Sequence, residues 1–101
     1  MVKEDIKQIL NSGLEQLPNK ERIKTVSLFG SYAKGDAQPK SDIDLLIEFK
    51  PEAKIGFFEL IRIQNSLEQK LKKNIDLITP QSLSKYFKDK VLETAEKLYE
   101  G

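Results

Sequence analysis

The stretch from Phe29 to Asp44 constrains this chain more than any other part of its sequence. An apolar strand pattern ends there at Gly30-Ser31, and a second strand pattern begins at Asp42 and carries Asp44. Residues two apart in a strand point to the same face and lie roughly 6.5 Å apart along the backbone. Two carboxylates placed in this way can converge on the same hard cations, as metal-assisted phosphoryl or nucleotidyl transfer requires.

The Gly30-Ser31 pair predicts a turn between the first strand and a short helix over Ser31–Lys34. Glycine allows the backbone to pass close to a ligand, and the amides at the start of the helix would face phosphate oxygens. An ordinary strand-to-helix turn, with Ser31 capping the helix, explains the same two residues. Lys34 is equally consistent with a phosphate contact and with a solvated surface lysine.

The composition limits the chemistry. Neither cysteine nor histidine is present, which excludes disulfides, thiolate ligands and imidazole catalysis. Any metal must bind oxygen ligands, which favours magnesium or manganese. The net charge is +1, from 17 basic and 16 acidic residues, so a broad electrostatic grip on nucleic acid is not expected.

The length and the apolar runs predict the organisation of the chain. We expect one domain over residues 1–101, because 101 residues suffice for a single core. No apolar run approaches the roughly 20 residues of a membrane span, and the amino terminus lacks a secretory apolar region. The sequence therefore predicts a cytoplasmic protein with no membrane contact.

Apolar spacing predicts an α/β fold, a small mixed sheet of at least three strands with helices packed against it. The helix that begins at Gly56 has an apolar stripe that includes Phe57 and is widened by Phe58 and Ile63. We expect this stripe to face the core, although Phe58 and Ile63 also suit a partner interface. The predicted helices cover residues 4–17, 31–34 and 56–73, with one or two more over 82–99. The predicted strands cover residues 23–29, 42–49 and 74–79.

Acidic residues interrupt two of the predicted strands. Aspartate is disfavoured in strands, so Asp44 between two apolar neighbours needs a reason, and metal binding supplies one. Asp76 is flanked by apolar residues in the same way. Glu48 lies further along the face of Asp44, and we expect it to be solvated. The opposite face of that strand should be buried and consists of Ile43, Leu45, Ile47 and Phe49.

The order Gly30-Ser31, ten intervening residues, then Asp42-x-Asp44 resembles the signature of the DNA polymerase beta-like nucleotidyltransferase superfamily. The chain is small, and it resembles the minimal nucleotidyltransferase branch of that superfamily in two segments, Gly-Ser-Tyr-Ala-Lys-Gly-Asp-Ala and Ser-Asp-Ile-Asp-Leu-Leu-Ile. Members of that branch are typically encoded beside a HEPN protein, and several act as antitoxins. The resemblance extends from Ile23 to about Tyr99.

The resemblance implies roles for particular residues. Asp42 and Asp44 would bridge two Mg²⁺ ions, with Mn²⁺ as a substitute. Asp76 matches the third acidic position, which helps to bind the catalytic metal and accepts the proton of the attacking hydroxyl. Gly30 and Ser31 would hold the triphosphate of ATP. Lys34 stands where many relatives carry arginine, and it keeps the positive charge but not the planar fork.

The resemblance also implies an activity: transfer of AMP from ATP to a hydroxyl, that of a tyrosine, on a HEPN toxin, which silences the toxin. Two alternatives remain at this stage. The chain is a binding antitoxin that neutralises its partner without catalysis, or it transfers nucleotide to a small molecule or RNA. The sequence leaves open the acceptor residue, the nucleotide preference, the number of AMP units and the oligomeric state.

Overall fold

Helices and strands alternate along most of the chain in the computed structural model, which describes residues 2–18 and 20–101. The helices are α1 (Lys3–Glu15), α2 (Ser31–Lys34), α3 (Phe57–Leu71) and α4 (Lys85–Thr94). The strands are β1 (Ile23–Phe29), β2 (Ile43–Phe49), β3 (Ile75–Ile78) and β4 (Glu96–Glu100). Short 3₁₀ turns occupy Lys20–Arg22 and Pro80–Ser82. None of the helices in this part of the chain combines the length and the apolar character needed to cross a membrane.

The strands form one mixed sheet of four strands in the order β3-β2-β1-β4. β1 is antiparallel to both β2 and β4, whereas β2 and β3 are parallel. Parallel strands need a crossover connection, and α3 supplies it. This topology confirms the predicted α/β class with its mixed sheet.

The core lies between the sheet and the helices α1 and α3, which pack against each other. Apolar residues that recur every three or four positions place one face of each helix in this core. The largest fully buried side chains are contributed by α1 (Ile6, Leu10, Leu14), α3 (Ile63, Leu67, Leu71) and the central strands (Ile23, Val26, Leu28, Ile43, Leu45, Ile47). Alternation along β2 therefore directs Ile43, Leu45 and Ile47 inward, as predicted, and leaves Asp44 on the other face.

The carboxyl-terminal region corrects the prediction of one or two helices over residues 82–99. Helix α4 ends at Thr94, and Glu96–Glu100 forms a strand beside β1. The helical spacing was misleading because Val91 and Leu98 are both buried but belong to different elements. The strand satisfies backbone groups of β1 that an edge position would leave unpaired. Asn11 of α1 fixes it further, since its Nδ2 donates to the Leu98 carbonyl at 3.0 Å.

Replacing Leu98 by alanine tests how much β4 contributes to stability. Leu98 is 5% exposed and belongs to the main core cluster, so Leu98→Ala should lower the free energy of unfolding by about 2–5 kcal/mol. Urea unfolding followed by circular dichroism measures this value. Leu92→Ala on α4, where the side chain is 44% exposed, is the control and should cost clearly less. An equal loss in both variants would contradict the assignment of Leu98 to the core.

Helix α3 also differs from its prediction at its first turn. Phe57 and Phe58 are 71% and 77% exposed, so the expectation that both rings face the core is wrong. The buried stripe of the helix begins further along, and Ile63 is its first fully covered residue. The two rings contact each other edge to face with centroids 6.2 Å apart.

Candidate active site

Neighbouring strands bring the acidic residues of the sequence motif to one edge of the sheet. In the strand register, Asp44 of β2 lies opposite Phe29, the last residue of β1, and opposite Asp76 of β3 on its other side. Gly30 follows Phe29 directly, and Asp42 lies two residues before Asp44. The sheet therefore places the Gly-Ser turn, the Asp-x-Asp pair and Asp76 around a single strand position.

Gly30 turns the chain directly against the carboxylate of Asp44. Its backbone has φ +75° and ψ −151°, a conformation that residues other than glycine rarely adopt. A Cβ atom added to Gly30 would collide with Oδ2 of Asp44 and would lie 3.0 Å from its Cγ. From the sequence we expect this glycine to allow a ligand to come close to the backbone. The structure shows that the absent Cβ leaves space for the Asp44 side chain.

The three carboxylates affect one another electrostatically. Partial burial raises the pKa of Asp44 above its ordinary value of 3.8, and the negative charges of Asp76 and Asp42 raise this pKa further. Asp42 and Asp76 are exposed to solvent. None of the ion pairs found in residues 2–18 and 20–101 involves any of the three. The edge therefore concentrates negative charge that no ion pair within the described residues balances.

Such an arrangement suits a divalent cation. The donors are carboxylate oxygens, the ligands that Mg²⁺ and Mn²⁺ prefer, and a cation would relieve the repulsion that raises the pKa of Asp44. The carboxylates do not yet form a ligand shell, since no three acidic side chains of the described residues are spaced to hold one ion. Magnesium is usually held by one or two carboxylates together with water and substrate phosphates, so Asp42 and Asp44 can serve without a third acidic ligand.

The remaining predicted site residues lie on α2. Gly30 is the N-cap, so Ser31 is the first helical residue and does not cap the helix with its side chain. Ser31 is half-buried beside Gly30, and its carbonyl accepts from the amide of Asp36 at 3.1 Å. Lys34 ends the helix, is exposed and has no hydrogen bond or ion pair through its side chain within the described chain. The structure thus places Ser31 directly after the glycine that approaches Asp44, and it places Lys34 at the exposed end of the same short helix.

Sequence reasoning missed a contact that holds the loop before β2. Lys73, at the end of the α3–β3 connection, donates from Nζ to the carbonyl of Pro39 at 2.8 Å. The same Nζ lies 5.9 Å from the centre of the Tyr32 ring, which is buried in the core. The loop that leads to Asp42 is therefore tied to α2 and to the start of β3. The adjacent lysines of Lys72-Lys73, just ahead of β3, were the only signal for this contact in the sequence.

The raised pKa of Asp44 predicts a pH-dependent cost to stability. Because the folded protein binds the proton more tightly than the unfolded chain, ionised Asp44 destabilises the fold above its folded pKa and has no such effect below about pH 3.8. With a chelator present, Asp44→Asn should therefore melt at a higher temperature than the wild type at neutral pH. The difference should shrink as the pH falls through the raised pKa. Thermal melts from about pH 3.8 to neutral pH measure this difference in melting temperature. An Asp44→Asn variant that is less stable than the wild type at neutral pH would contradict the expectation.

Comparison with known proteins identifies the family. The family model described as polymerase beta, nucleotidyltransferase matches residues 4–101. The Methanocaldococcus jannaschii protein MJ1379, named as a candidate protein adenylyltransferase, is 36% identical over 89 residues, which is 88% of this chain and 89% of the relative. The protein adenylyltransferase MntA of Thermococcus cleftensis is 31% identical over 80 residues, 79% of each chain.

Solved structures share the fold. A candidate minimal nucleotidyltransferase superposes with a TM-score of 0.77 at 27% identity over 94% of both chains. A toxin–antitoxin structure with AMP-PNP gives 0.75 at 21% identity, over 94% of this chain and 73% of the other. A tri-AMPylated Shewanella oneidensis HEPN toxin in complex with MNT antitoxin gives 0.61 at 19% identity, over 97% of this chain and 69% of the other.

The sequence motif, the strand edge that gathers it and the extent of the family match agree. The match covers the whole described sheet, including the Gly-Ser turn and all three acidic positions. The chain belongs to the polymerase beta nucleotidyltransferase family, within its minimal MntA-like branch, and is a nucleotidyltransferase.

Proposed function

We propose that this protein transfers AMP from ATP to the hydroxyl group of a tyrosine on its partner protein, a HEPN toxin. The modification silences the toxin, so this protein acts as an antitoxin. The observation that carries the proposal is the approach of Gly30 to Asp44 beside Asp76. This turn brings the backbone against a carboxylate, and nucleotidyl transfer needs carboxylates close to the group that holds the triphosphate. The names of the relatives, which describe protein adenylyltransferases, support AMP as the transferred group.

Two further comparisons support the partner and the nucleotide. One protein of the same fold belongs to a toxin–antitoxin structure with the ATP analogue AMP-PNP, and another is in complex with an AMPylated HEPN toxin. The bound AMP-PNP and the AMPylated toxin are features of those two neighbouring structures. Phe57 and Phe58 offer an exposed apolar pair on this chain, which suits contact with a protein more than contact with a small acceptor.

In the proposed mechanism, Asp42 and Asp44 would hold magnesium, and Asp76 would contribute a third carboxylate from the neighbouring strand. When bound, the metal supplies a lower pKa for the attacking hydroxyl and charge neutralisation for the departing pyrophosphate. Gly30 leaves room for this arrangement, because any Cβ at that position would displace the carboxylate of Asp44. Ser31 follows directly and is proposed to hold the triphosphate through its amide and hydroxyl.

The reaction exchanges one phosphorus–oxygen bond for another. The acceptor oxygen forms a bond to the α-phosphorus of ATP, the bond from that phosphorus to the bridging oxygen breaks, and pyrophosphate leaves. Asp76 takes the proton of the acceptor hydroxyl. Asp76 suits this role because it is exposed at the sheet edge, where an incoming side chain can reach it. Lys34 is proposed to contact phosphate from the end of α2.

The experiment that tests the proposal is co-expression of the chain with its HEPN partner. The wild-type chain should restore growth, and the double variant Asp42→Asn with Asp44→Asn should not, although it still binds the partner at normal levels. Full rescue by the double variant would overturn catalysis and establish neutralisation by binding alone. Turnover of a small molecule or an RNA without any protein partner would instead redirect the activity to that acceptor.

A further inference from the structure

A groove of about 530 Å³ borders the candidate active site at Asp42. It lies between the loop that precedes β2 and the connection from α3 to β3. Three lysines line it, namely Lys40, Lys72 and Lys73. The only acidic lining residues are Asp42 and Glu68, so the groove carries an excess of positive charge in a chain whose net charge is only +1.

The backbone of Lys72 is the second observation. Lys72 caps α3 with φ +55° and ψ +37° and is the only non-glycine residue with positive φ among those described. Glycine is the preferred residue in this left-handed position, and this chain uses Gly35 in the same way at the end of α2, with φ +82°. A lysine at a position that glycine fits better motivates the hypothesis that its side chain has a function.

The lysines of the groove differ in whether their ammonium groups already have a hydrogen-bond partner. Lys73 is held by the carbonyl of Pro39 and shapes the wall of the groove. Glu68 is engaged as well, since its Oε2 accepts from the amide of Ile75 at 2.9 Å. Lys40 and Lys72 are exposed, and their ammonium groups have no hydrogen-bond or ion-pair partner in the described chain. Two uncommitted cations therefore lie along the groove that Asp42 borders.

We propose that this groove binds a phosphate group through Lys40 and Lys72, at a site separate from the Gly30-Ser31 turn. Ammonium groups form charge-assisted hydrogen bonds with phosphate oxygens. The phosphate belongs either to the triphosphate of the incoming nucleotide or to a phosphate ester already present on the acceptor. The choice of source rests on the proposed function, whereas phosphate binding itself does not.

Binding of inorganic triphosphate tests the groove without reference to catalysis. In calorimetric titrations, Lys40→Gln and Lys72→Gly should each weaken binding about tenfold, the effect of losing one charge-assisted contact. Lys72→Gly should also keep or raise the melting temperature, because glycine suits the left-handed backbone. Lys90→Gln, on the exposed side of α4, removes the same charge elsewhere and should leave binding unchanged. Equal affinity in all variants, or an equal loss with Lys90→Gln, would overturn the site.

Transfer kinetics then distinguish the two sources. If the groove holds the nucleotide, Lys72→Gly should raise the KM for ATP about tenfold already in the first transfer. If it holds an acceptor ester, the first transfer should be unchanged and addition of a second AMP should slow about tenfold. An unchanged KM and an unchanged distribution of adducts would overturn any role of the groove in the reaction. Absence of transfer by the wild type would refute the proposed function but leave the triphosphate titration valid.

Discussion

Replacing Asp42 and Asp44 together by asparagine is expected to lower nucleotidyl transfer about a thousandfold. The amides keep the shape of the side chains but remove both negative charges that would hold the metal. Metal ions contribute several kcal/mol of transition-state stabilisation, and roughly 1.4 kcal/mol corresponds to a factor of ten in rate. Release of pyrophosphate in the presence of ATP, magnesium and the partner measures the loss.

Glu48 provides a matched control for this double variant. It lies on the same strand and is half-buried, but it is four residues beyond Asp44 and makes no contribution to the raised pKa of that residue. Glu48→Gln should therefore retain the activity of the wild type. If Glu48→Gln were as inactive as the double asparagine variant, general loss of negative charge along β2 would explain the result, and the assignment of Asp42 and Asp44 would fail.

Replacing Gly30 by alanine is expected to have the second largest effect, about a hundredfold loss of activity. The new Cβ would occupy the space of the Asp44 carboxylate, and a displacement of about 1 Å at a reacting centre costs on the order of a hundredfold in rate. The positive φ adds a backbone cost of about 1–3 kcal/mol to the free energy of unfolding. Steady-state kinetics and thermal melts measure the two effects separately.

Gly56→Ala is the control for this substitution. Gly56 precedes α3 with φ −86°, and no atom lies within 4 Å of a Cβ built there. The variant should keep its activity and its melting temperature. If Gly30→Ala retained full activity as well, the contact between the turn and Asp44 would have no part in catalysis.

Most of the sheet could be predicted from the sequence because strand alternation is regular in its central part. The predicted strands around Val26, Asp44 and Asp76 match β1, β2 and β3 closely. The register that sets Asp44 opposite Asp76 could not be derived from periodicity, because parallel pairing depends on how α3 crosses over the sheet. Only the family resemblance, in which Asp76 matches the third acidic position, indicated that this carboxylate acts at the same site as Asp42 and Asp44.

The incorrect predictions for the carboxyl-terminal region and for the start of α3 share one physical cause, tertiary packing that a local sequence pattern does not reveal. Leu98 fits a helical spacing with Val91, yet pairing with β1 makes it part of a strand. Phe57 and Phe58 fit the apolar stripe of α3 but lie one turn before the packed part of that helix. Local pattern identifies apolar residues, whereas tertiary packing decides which of them are covered. The left-handed backbone of Lys72 had no sequence signal at all.

The most direct test of the central claim is the intact mass of the HEPN partner after incubation with this protein, ATP and magnesium. The partner should gain the mass of whole AMP units, and peptide mapping should place them on a tyrosine. The gain should be absent with Asp44→Asn and present with Glu48→Gln. An unchanged partner mass alongside a stable complex would contradict the account and establish a binding antitoxin instead.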